Sequence, residues 1–315
     1  MLLLGACGSD NAASPSPPCP EVACLERVLE GHMQRVTGVA FAPDSQTLAT
    51  GSVDATVKLW NVAGGVLLRT LAEDASPVLS IAFARDGSLL AAGSEDATIR
   101  LWRPADGARV RLLSGATYGI TGLAFSADGH TLLASSNDHT VRFWDVASGR
   151  ELKKIAAHPV PVTALALAPD GKSFATSGSF MDGRVRLWSF PAGGPLWSFS
   201  NDVAYWSLAF SPDGRELAAG GSYGSVALLS PADGSEHRTL TMGDMVVAAL
   251  AYTPDGRRLA AADASTIQIF DPGSGAVLSR LAGHVATVFS IAVSPDGRYL
   301  ASGSDDETAR LWRWN

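Results

Sequence analysis

Residues 36–60, VTGVAFAPDSQTLATGSVDATVKLW, alternate short β-rich runs with turn residues. The apolar run 36–42 ends at a Pro-Asp turn, a second run covers 48–52, and a third covers 56–60 after a polar turn. A fourth run, 66–71, follows a pair of glycines. Four such runs broken by turn residues predict a meander of four antiparallel strands.

The pattern recurs along the whole chain at an almost constant step. A Pro-Asp-Gly turn or a close variant occurs seven times, and its aspartates are 42, 42, 42, 43, 42 and 41 residues apart. They are Asp44, Asp86, Asp128, Asp170, Asp213, Asp255 and Asp296. A second landmark keeps the step, at Trp60, Trp102, Trp144, Trp188, Leu229, Phe270 and Trp312. The runs are apolar on both faces, as expected for small sheets that each pack between two neighbours.

Composition narrows the class of protein. The 315 residues are 46% hydrophobic and 17% charged, which is typical of a globular protein. The formal net charge of −7 argues against nucleic-acid binding, because neutralising phosphates requires clustered Lys and Arg. No run of eighteen apolar residues occurs, so the sequence predicts no membrane-spanning helix.

The units resemble WD repeats, which carry Gly-His near the start and Trp-Asp at the close. Gly31-His32 and Gly283-His284 match the opening, and Trp144-Asp145 matches the close. The resemblance covers residues 22–315 and implies an all-β, seven-bladed β-propeller with four-stranded antiparallel blades. It also implies that the loops at one end of the blades, the top face, bind partners.

The phase of the repeat predicts how the ring closes. The last unit stops after its third strand, at residues 311–315, while residues 22–29 align with the fourth strand 66–71. The N-terminal segment should therefore supply the outer strand of the seventh blade and remove an open sheet edge. We expect two parts, a tether at 1–21 and the propeller at 22–315.

Three units hold a histidine, an aspartate and a tryptophan at fixed spacing. These are His32, Asp54 and Trp60; His158, Asp182 and Trp188; and His284, Asp306 and Trp312. With a neighbouring Ser or Thr, the set imitates a catalytic triad. The resemblance to WD repeats instead implies a structural tie within a blade, so we expect no catalytic residue. The histidines show no metal-ligand spacing, and no metal or cofactor is expected.

Aromatic residues and arginine anchor interfaces, so their placement suggests a partner-binding surface. On the WD template, eight residues lie near the top face or channel entrance: Arg35, Tyr118, Phe180, Tyr205, Trp206, Tyr223, Phe289 and Asp305. They are most crowded in blades 4 and 5. We expect this sector to bind a protein.

The N-terminal residues differ from the rest. Leu4-Gly5-Ala6-Cys7 resembles the lipobox of bacterial lipoproteins, in which the cysteine is lipidated, although the charged and apolar regions of a full signal peptide are missing. Residues 8–18 have the composition of a flexible tether. This interpretation predicts anchoring at Cys7 in a bacterial envelope; the alternative is a chance match in a cytoplasmic protein. Cys19 and Cys24 then remain either as a disulfide pair or as two thiols.

The sequence as a whole favours a monomeric, non-catalytic scaffold that binds proteins, without nucleic acid, and that meets a membrane only through a lipid. The alternative is a propeller enzyme of the hydrolase or lactonase type, with its site at the channel mouth. Such an enzyme needs His, Asp and Glu from several blades at one end. No such excess is found beyond the structural positions.

Overall fold

A computed structural model describes residues 22–72, 76–201 and 203–314 of the chain. These residues form 28 β-strands and no helix, so none of them builds a helix that crosses a membrane. The strands assemble into seven four-stranded antiparallel sheets. The predicted all-β, seven-bladed propeller is confirmed.

The strands follow one another in chain order, and each blade takes four of them. The first fourteen are β1 (Ala23–Leu29), β2 (Val36–Phe41), β3 (Thr47–Ser52), β4 (Thr56–Asn61), β5 (Leu67–Ala72), β6 (Val78–Phe83), β7 (Leu90–Ser94), β8 (Thr98–Arg103), β9 (Ala108–Ser114), β10 (Ile120–Phe125), β11 (Thr131–Ser136), β12 (Thr140–Asp145), β13 (Glu151–Ala156) and β14 (Val162–Leu167). The others are β15 (Ser173–Gly178), β16 (Arg184–Ser189), β17 (Pro195–Ser200), β18 (Tyr205–Phe210), β19 (Leu217–Gly221), β20 (Ser225–Leu229), β21 (Glu236–Thr241), β22 (Val247–Tyr252), β23 (Leu259–Asp263), β24 (Thr266–Phe270), β25 (Val277–Leu281), β26 (Val288–Val293), β27 (Tyr299–Ser304) and β28 (Ala309–Trp314).

Six blades are continuous in the chain, and the seventh joins its two ends. Blade 1 is β2–β5, blade 6 is β22–β25, and blade 7 has the order β1-β28-β27-β26. In blade 7, β1 pairs antiparallel with β28, from Ala23 opposite Trp314 to Leu29 opposite Ala309. The N-terminal strand therefore closes the ring as predicted. Cys24, within β1, takes part in a disulfide, while Cys7 and Cys19 lie outside the described residues.

Burial decreases from the two middle strands of each blade to its rim. Residues 48–52 of β3 are all buried, whereas β5 is exposed at every position but Leu71. The middle strands are covered on both faces because a neighbouring blade packs on each side. The core clusters accordingly span two blades: one contains Leu59 of blade 1 together with Leu90 and Trp102 of blade 2.

Each innermost strand contains a β-bulge one residue from its top end, visible as a register shift against the second strand. The bulged residues line a central channel of about 280 Å³. They are Thr37, Leu79, Thr121, Thr163, Trp206, Ala248 and Phe289. Each blade thus lines the channel with its bulged residue and the two residues that follow it.

Long side chains on the outer strands join neighbouring blades at the rim. The Arg27 guanidinium donates to the carbonyl oxygen of Ala63 at 2.7 Å, and Arg238 Nη2 donates to that of Gly273 at 2.8 Å. Arg69, Arg111 and Lys153 make contacts of the same kind. Because Arg27 belongs to β1, this contact also links blade 7 to blade 1.

Candidate functional site

The predicted tie is assembled beneath the top hairpin of blade 1. His32 Nδ1 lies 2.8 Å from Asp54 Oδ2, and His32 Nε2 lies 2.7 Å from Thr50 Oγ1. Trp60 Nε1 donates to the same hydroxyl at 2.9 Å. We therefore assign the hydroxyl proton to the bond with His32 Nε2, leaving Nδ1–H to donate to Asp54. Burial lowers the pKa of His32, in keeping with a neutral imidazole.

Blades 4 and 7 repeat this arrangement. His158 and Trp188 share the Thr176 hydroxyl, and His158 bonds Asp182. His284, Asp306 and Trp312 are joined in the same way through Ser302. Burial lowers the pKa of His158 to about 4, against the opposing effect of Asp182. Every polar group of these sets is engaged within its own blade, so the arrangement offers no free nucleophile.

In blades 2 and 3 an arginine bonds the hairpin aspartate in place of the histidine, whereas in blade 4 Arg186 bonds Asp182 in addition to His158. Arg100 Nη2 lies 2.9 Å from Asp96 Oδ2, and Arg142 Nη1 lies 2.7 Å from Asp138 Oδ2. Burial alone would raise the pKa of Asp138, but hydrogen bonds from Thr140, the Thr117 backbone and Arg142 lower it to about 2. The sequence analysis missed these pairs, whose signal is an arginine four residues after each aspartate.

Blade 5 has no tie. Ala219 takes the register position of Thr50, and Leu229 takes that of Trp60. Tyr223 stands where the hairpins of blades 1 and 7 carry Asp54 and Asp306, and with Gly224 it forms a turn in which both residues have positive φ, 59° and 62°. The described part of blade 5 is therefore held by apolar packing, and its hairpin exposes an aromatic ring.

A sector of the top face between blades 4 and 6 exposes large apolar side chains. Phe180 is 64% exposed, Met181 91%, Tyr223 73% and Met245 58%. The Phe180 ring meets the half-buried Trp206 ring edge to face, with centroids 5.2 Å apart. We call these five residues the blade 4–5 patch.

A hairpin with a two-residue insertion carries two of the five patch residues. His158 and Asp182 are 24 residues apart, whereas the equivalent pairs in blades 1 and 7 are 22 residues apart. The extra residues lie in the hairpin that carries Phe180 and Met181. The tie below is intact, so the insertion extends the hairpin and leaves the blade unchanged.

Trp206 reaches the channel because a neighbouring residue takes over a bond between blades. In blade 1 the bulged residue, Thr37, donates its hydroxyl to the Val78 carbonyl of blade 2 at 2.5 Å. In blade 5 the next residue, Ser207, donates instead to the Val247 carbonyl of blade 6 at 2.8 Å. The bulge position is then available for a large ring. The same exchange occurs at Leu79-Ser80, where Ser80 donates to the Ile120 carbonyl.

One predicted surface residue needs correction. Tyr205 is fully buried, and its hydroxyl donates to Asn201 Oδ1 at 2.6 Å. Its ring packs against Phe199 in the interior of blades 4 and 5. The bulge at Trp206 turns one of the two adjacent aromatic residues into the core and the other into the channel, so Tyr205 contacts no partner.

The remaining predicted residues lie apart from the blade 4–5 patch. Arg35 is exposed, and its guanidinium carbon lies 5.6 Å from the ring centroid of Phe289, at the junction of blades 7 and 1. Tyr118 of blade 3 is 65% exposed, and Asp305 is exposed on the blade 7 hairpin. The eight predicted residues thus divide into one contiguous patch, one cation–π pair, two separate surface residues and one core residue.

The channel presents no charged or basic side chain. Its lining residues within the described chain are all aliphatic, aromatic, glycine, serine or threonine. No three His, Cys, Asp or Glu side chains of the described residues form a group able to hold a metal. The channel wall, as far as the structure describes it, therefore contains no carboxylate, imidazole or amine that could act as a general acid or base.

Comparison with known proteins gives one family. Its description is WD domain, G-beta repeat, and it matches residues 23–61, 65–103, 107–145, 149–189, 193–228 and 275–313. The unmatched stretch between the last two segments contains the first three strands of blade 6, where Phe270 and Ala261 replace the tryptophan and hydroxyl of the tie.

Curated relatives share this repeat over parts of their length. The chain is 30% identical to WD repeat-containing protein SL1-17 of Schistosoma mansoni over 42% of the chain and 45% of that protein. It is 53% identical to Protein pleiotropic regulator PRL2 of Arabidopsis thaliana over 14% and 9%, respectively. It is 26% identical to the serine-threonine kinase receptor-associated protein of Bos taurus over 42% and 37%. The chain spans less than half the length of each of them.

Proposed function

Because the chain belongs to the WD-repeat family of β-propellers, we propose that it is a non-catalytic scaffold and that a protein partner docks on the blade 4–5 patch. One observation carries this proposal: an inserted Phe180-Met181 pair stands exposed on the top face and packs against Trp206. Exposed apolar side chains that are clustered, rather than scattered singly, are typical of interaction surfaces.

The composition of the patch favours a protein partner. Tyr and Trp supply large contact areas at a low cost in conformational entropy, and Met adapts to varied apolar surfaces. Blade 4, which carries the Phe180 hairpin, keeps a complete tie beneath the patch, so little ordering of this side of the scaffold is needed on binding. The neutral lining of the channel gives no support to the alternative of a hydrolase or lactonase.

The experiment is photo-crosslinking in the native host, with p-benzoylphenylalanine in place of Phe180. We expect a defined crosslinked partner that is lost from the Trp206→Ala, Tyr223→Ala protein. The matched control is Met33→Ala, Val285→Ala, which removes top-face side chains that are 81% and 86% exposed on blades 1 and 7. Loss of the partner from the control, or its retention by the patch variant, would contradict docking at the patch.

We also propose that the chain is tethered to a membrane by a lipid on Cys7, in an oxidising compartment outside the cytoplasm. The lipobox-like sequence and the tether composition that follows it support this. The disulfide at Cys24 is also typical of extracytoplasmic proteins. The test is membrane fractionation and intact mass of protein from the native host, beside Cys7→Ala. Unmodified Cys7 in a soluble fraction would contradict the tether.

A further inference from the structure

A groove at the bottom of the propeller, where the Pro-Asp-Gly turns lie, holds a hydrogen-bonded cluster of three polar side chains. The groove lies between blades 5 and 6 and has a volume of about 560 Å³. His237 Nε2 lies 2.7 Å from Glu216 Oε2, and the Tyr252 hydroxyl donates to Glu216 Oε1. Glu216 immediately precedes β19, His237 lies in β21, and Tyr252 ends β22, the inner strand of the next blade.

The fold does not require a carboxylate, an imidazole and a phenol at these three positions. By strand register, the matching residues between blades 1 and 2 are Thr47, Leu68 and Phe83, which line a groove of about 540 Å³. The position of His237 is aliphatic in the other four continuous blades, at Val110, Leu152, Leu196 and Leu278. The imidazole of His237 therefore departs from the aliphatic residues of the other continuous blades, whereas the position of Glu216 is polar elsewhere too, as at Thr47 and Ser173.

Burying these polar side chains opposes folding unless each buried polar group forms a hydrogen bond. The carboxylate of Glu216 is only 18% exposed, and Tyr252 is 9% exposed. Burial raises the pKa of Tyr252, and the bond to Glu216 raises it further, so the phenol remains a neutral donor. The Glu216 carboxylate is thus fixed in position by two donors, while about two of its roughly four acceptor sites stay available.

The walls of the groove are negative. They contain three carboxylates, of Asp213, Glu216 and Asp255, against the guanidinium of Arg215 and the imidazole of His237. The net charge is therefore −2 with a neutral imidazole and −1 with a charged one. Proline rings at Pro212, Pro254 and Pro272 supply flat apolar sides. This combination fits a cation with an aliphatic stem.

We propose that the groove between blades 5 and 6 binds the guanidinium group of an arginine side chain on a partner protein, with Glu216 as the acceptor. The planar fork of a guanidinium matches a fixed carboxylate, and its stem packs along the proline and tyrosine surfaces. This contact is separate from the blade 4–5 patch, because it lies at the opposite end of the blades. The propeller would then have a second, charge-selective binding site.

The test uses the full chain labelled with ¹³C at the imidazole Cε1 of its six histidines. Titration with N-acetyl-arginine methylamide should shift the His237 resonance in a saturable manner, with a dissociation constant of about 1–10 mM. The uncharged N-acetyl-citrulline methylamide should bind about tenfold more weakly. Equal binding of both probes, or no saturable shift with either, would overturn the proposal.

Substitutions that copy residues from the other blade junctions distinguish a loss of arginine binding from a loss of folding. Glu216→Thr combined with Tyr252→Phe copies Thr47 and Phe83, leaves no buried phenol without an acceptor, and should melt close to the parent protein while losing the arginine-induced shift. Glu216→Gln keeps the shape, removes the charge and should weaken binding about tenfold. Ser173→Thr, at the same register in blade 4, is the control and should bind like the parent. Arginine binding retained by both Glu216 variants would also overturn the assignment.

Discussion

Blades 1 and 5 fill the space between the top hairpin and the strands in different ways. Blade 1 uses a chain of hydrogen bonds, and blade 5 uses apolar packing. In blade 1 the hairpin, the second strand and the third strand are joined by a chain of bonds from Trp60 through Thr50 and His32 to Asp54. In blade 5 the matching residues are Leu229, Ala219 and Tyr223, and the interior is apolar. Both blades keep the same four-stranded register.

The difference indicates what the tie contributes. A blade folds without it, so the network is one way to fill the space between strands and hairpin, alongside apolar packing. The tie does fix the hairpin residue as aspartate, since that carboxylate bonds the histidine and the turn backbone. Where the tie is absent, the hairpin is released to carry Tyr223. An aromatic residue at the aspartate position of the hairpin thus occurs in a blade that lacks the tie.

The largest loss of stability should come from removing β1, because the tie of blade 7 cannot replace this strand. Deleting residues 22–30 removes β1 from blade 7, whose tie through His284 is complete. It also removes Arg27 and opens an edge along β28. We expect loss of the cooperative thermal transition followed by circular dichroism, with aggregation on size-exclusion chromatography. Leu25→Ser, an exposed change within β1, should fold normally. A truncated protein that melts with the parent would show that the tie alone maintains blade 7.

The second prediction tests whether blade 1 remains stable when apolar residues, like those of blade 5, replace its tie. Thr50→Ala should destabilise the protein by about 2–4 kcal/mol, because it leaves the Trp60 indole and His32 Nε2 buried without partners. Adding Trp60→Leu and His32→Ala should cost less than the sum of the single changes, since the groups left unpaired are then removed. Urea unfolding of the single, double and triple variants measures this. Strictly additive free energies would show that these residues do not act as one network.

The tied blades should also be sensitive to acid. The pKa of His158 is about 4 in the folded state against 6.5 for an ordinary histidine, so the unfolded chain binds more protons between these values. Stability should therefore fall as the pH drops from 6.5 towards 4, by at most about 3 kcal/mol for this residue. Asp138 and Asp306, with pKa values of about 2 against 3.8, lose their contributions only below that window.

The measurement is the melting temperature of the parent and of His158→Ala across this pH range. Blade 3 provides a precedent for the variant, because Ala116 occupies the matching position. The variant should be less stable at neutral pH, and its curve should be flatter. His139→Ala, which removes an exposed imidazole, should follow the parent. Parallel curves for the parent and His158→Ala would exclude the buried imidazole as the source of the acid sensitivity.

The repeat, the ring closure and the geometry of the ties could be predicted because they depend on local chemistry. Pro-Asp-Gly turns and their variants place a glycine at positive φ, as at Gly129 and Gly214, and so mark the turn between the first and second strands of a blade. Fixed spacing then brings His32, Asp54 and Trp60 to one register. These features need no knowledge of which residues meet across blades.

The exposure of Tyr205 and the groove at Glu216 could not be predicted, for two physical reasons. The bulge at Trp206 interrupts the alternation of inward and outward side chains, so parity along β18 does not tell which aromatic residue is buried. The Glu216 cluster forms between blades from residues up to 36 positions apart, and no local pattern indicates that contact. The hydrogen bonds of Arg100 and Arg142 were visible in the sequence only as an arginine four residues after an aspartate. The WD-repeat resemblance gave no reason to expect such a pair.

The smallest expected change in stability comes from the unfavourable backbone conformation of Tyr223. Its φ of 59° is unfavourable for a bulky residue, whereas Asn adopts this conformation readily and Asn-Gly suits the turn formed with Gly224. Tyr223→Asn should therefore stabilise the protein by about 1 kcal/mol in urea unfolding. Tyr118→Asn, which removes an equally exposed ring from a residue without positive φ, should change stability by less than about 0.5 kcal/mol. A gain at Tyr223 together with loss of the crosslinked partner would indicate that blade 5 accepts strain for binding. A loss of stability would instead mean that the ring packs against its own blade, and the patch would be smaller by one residue.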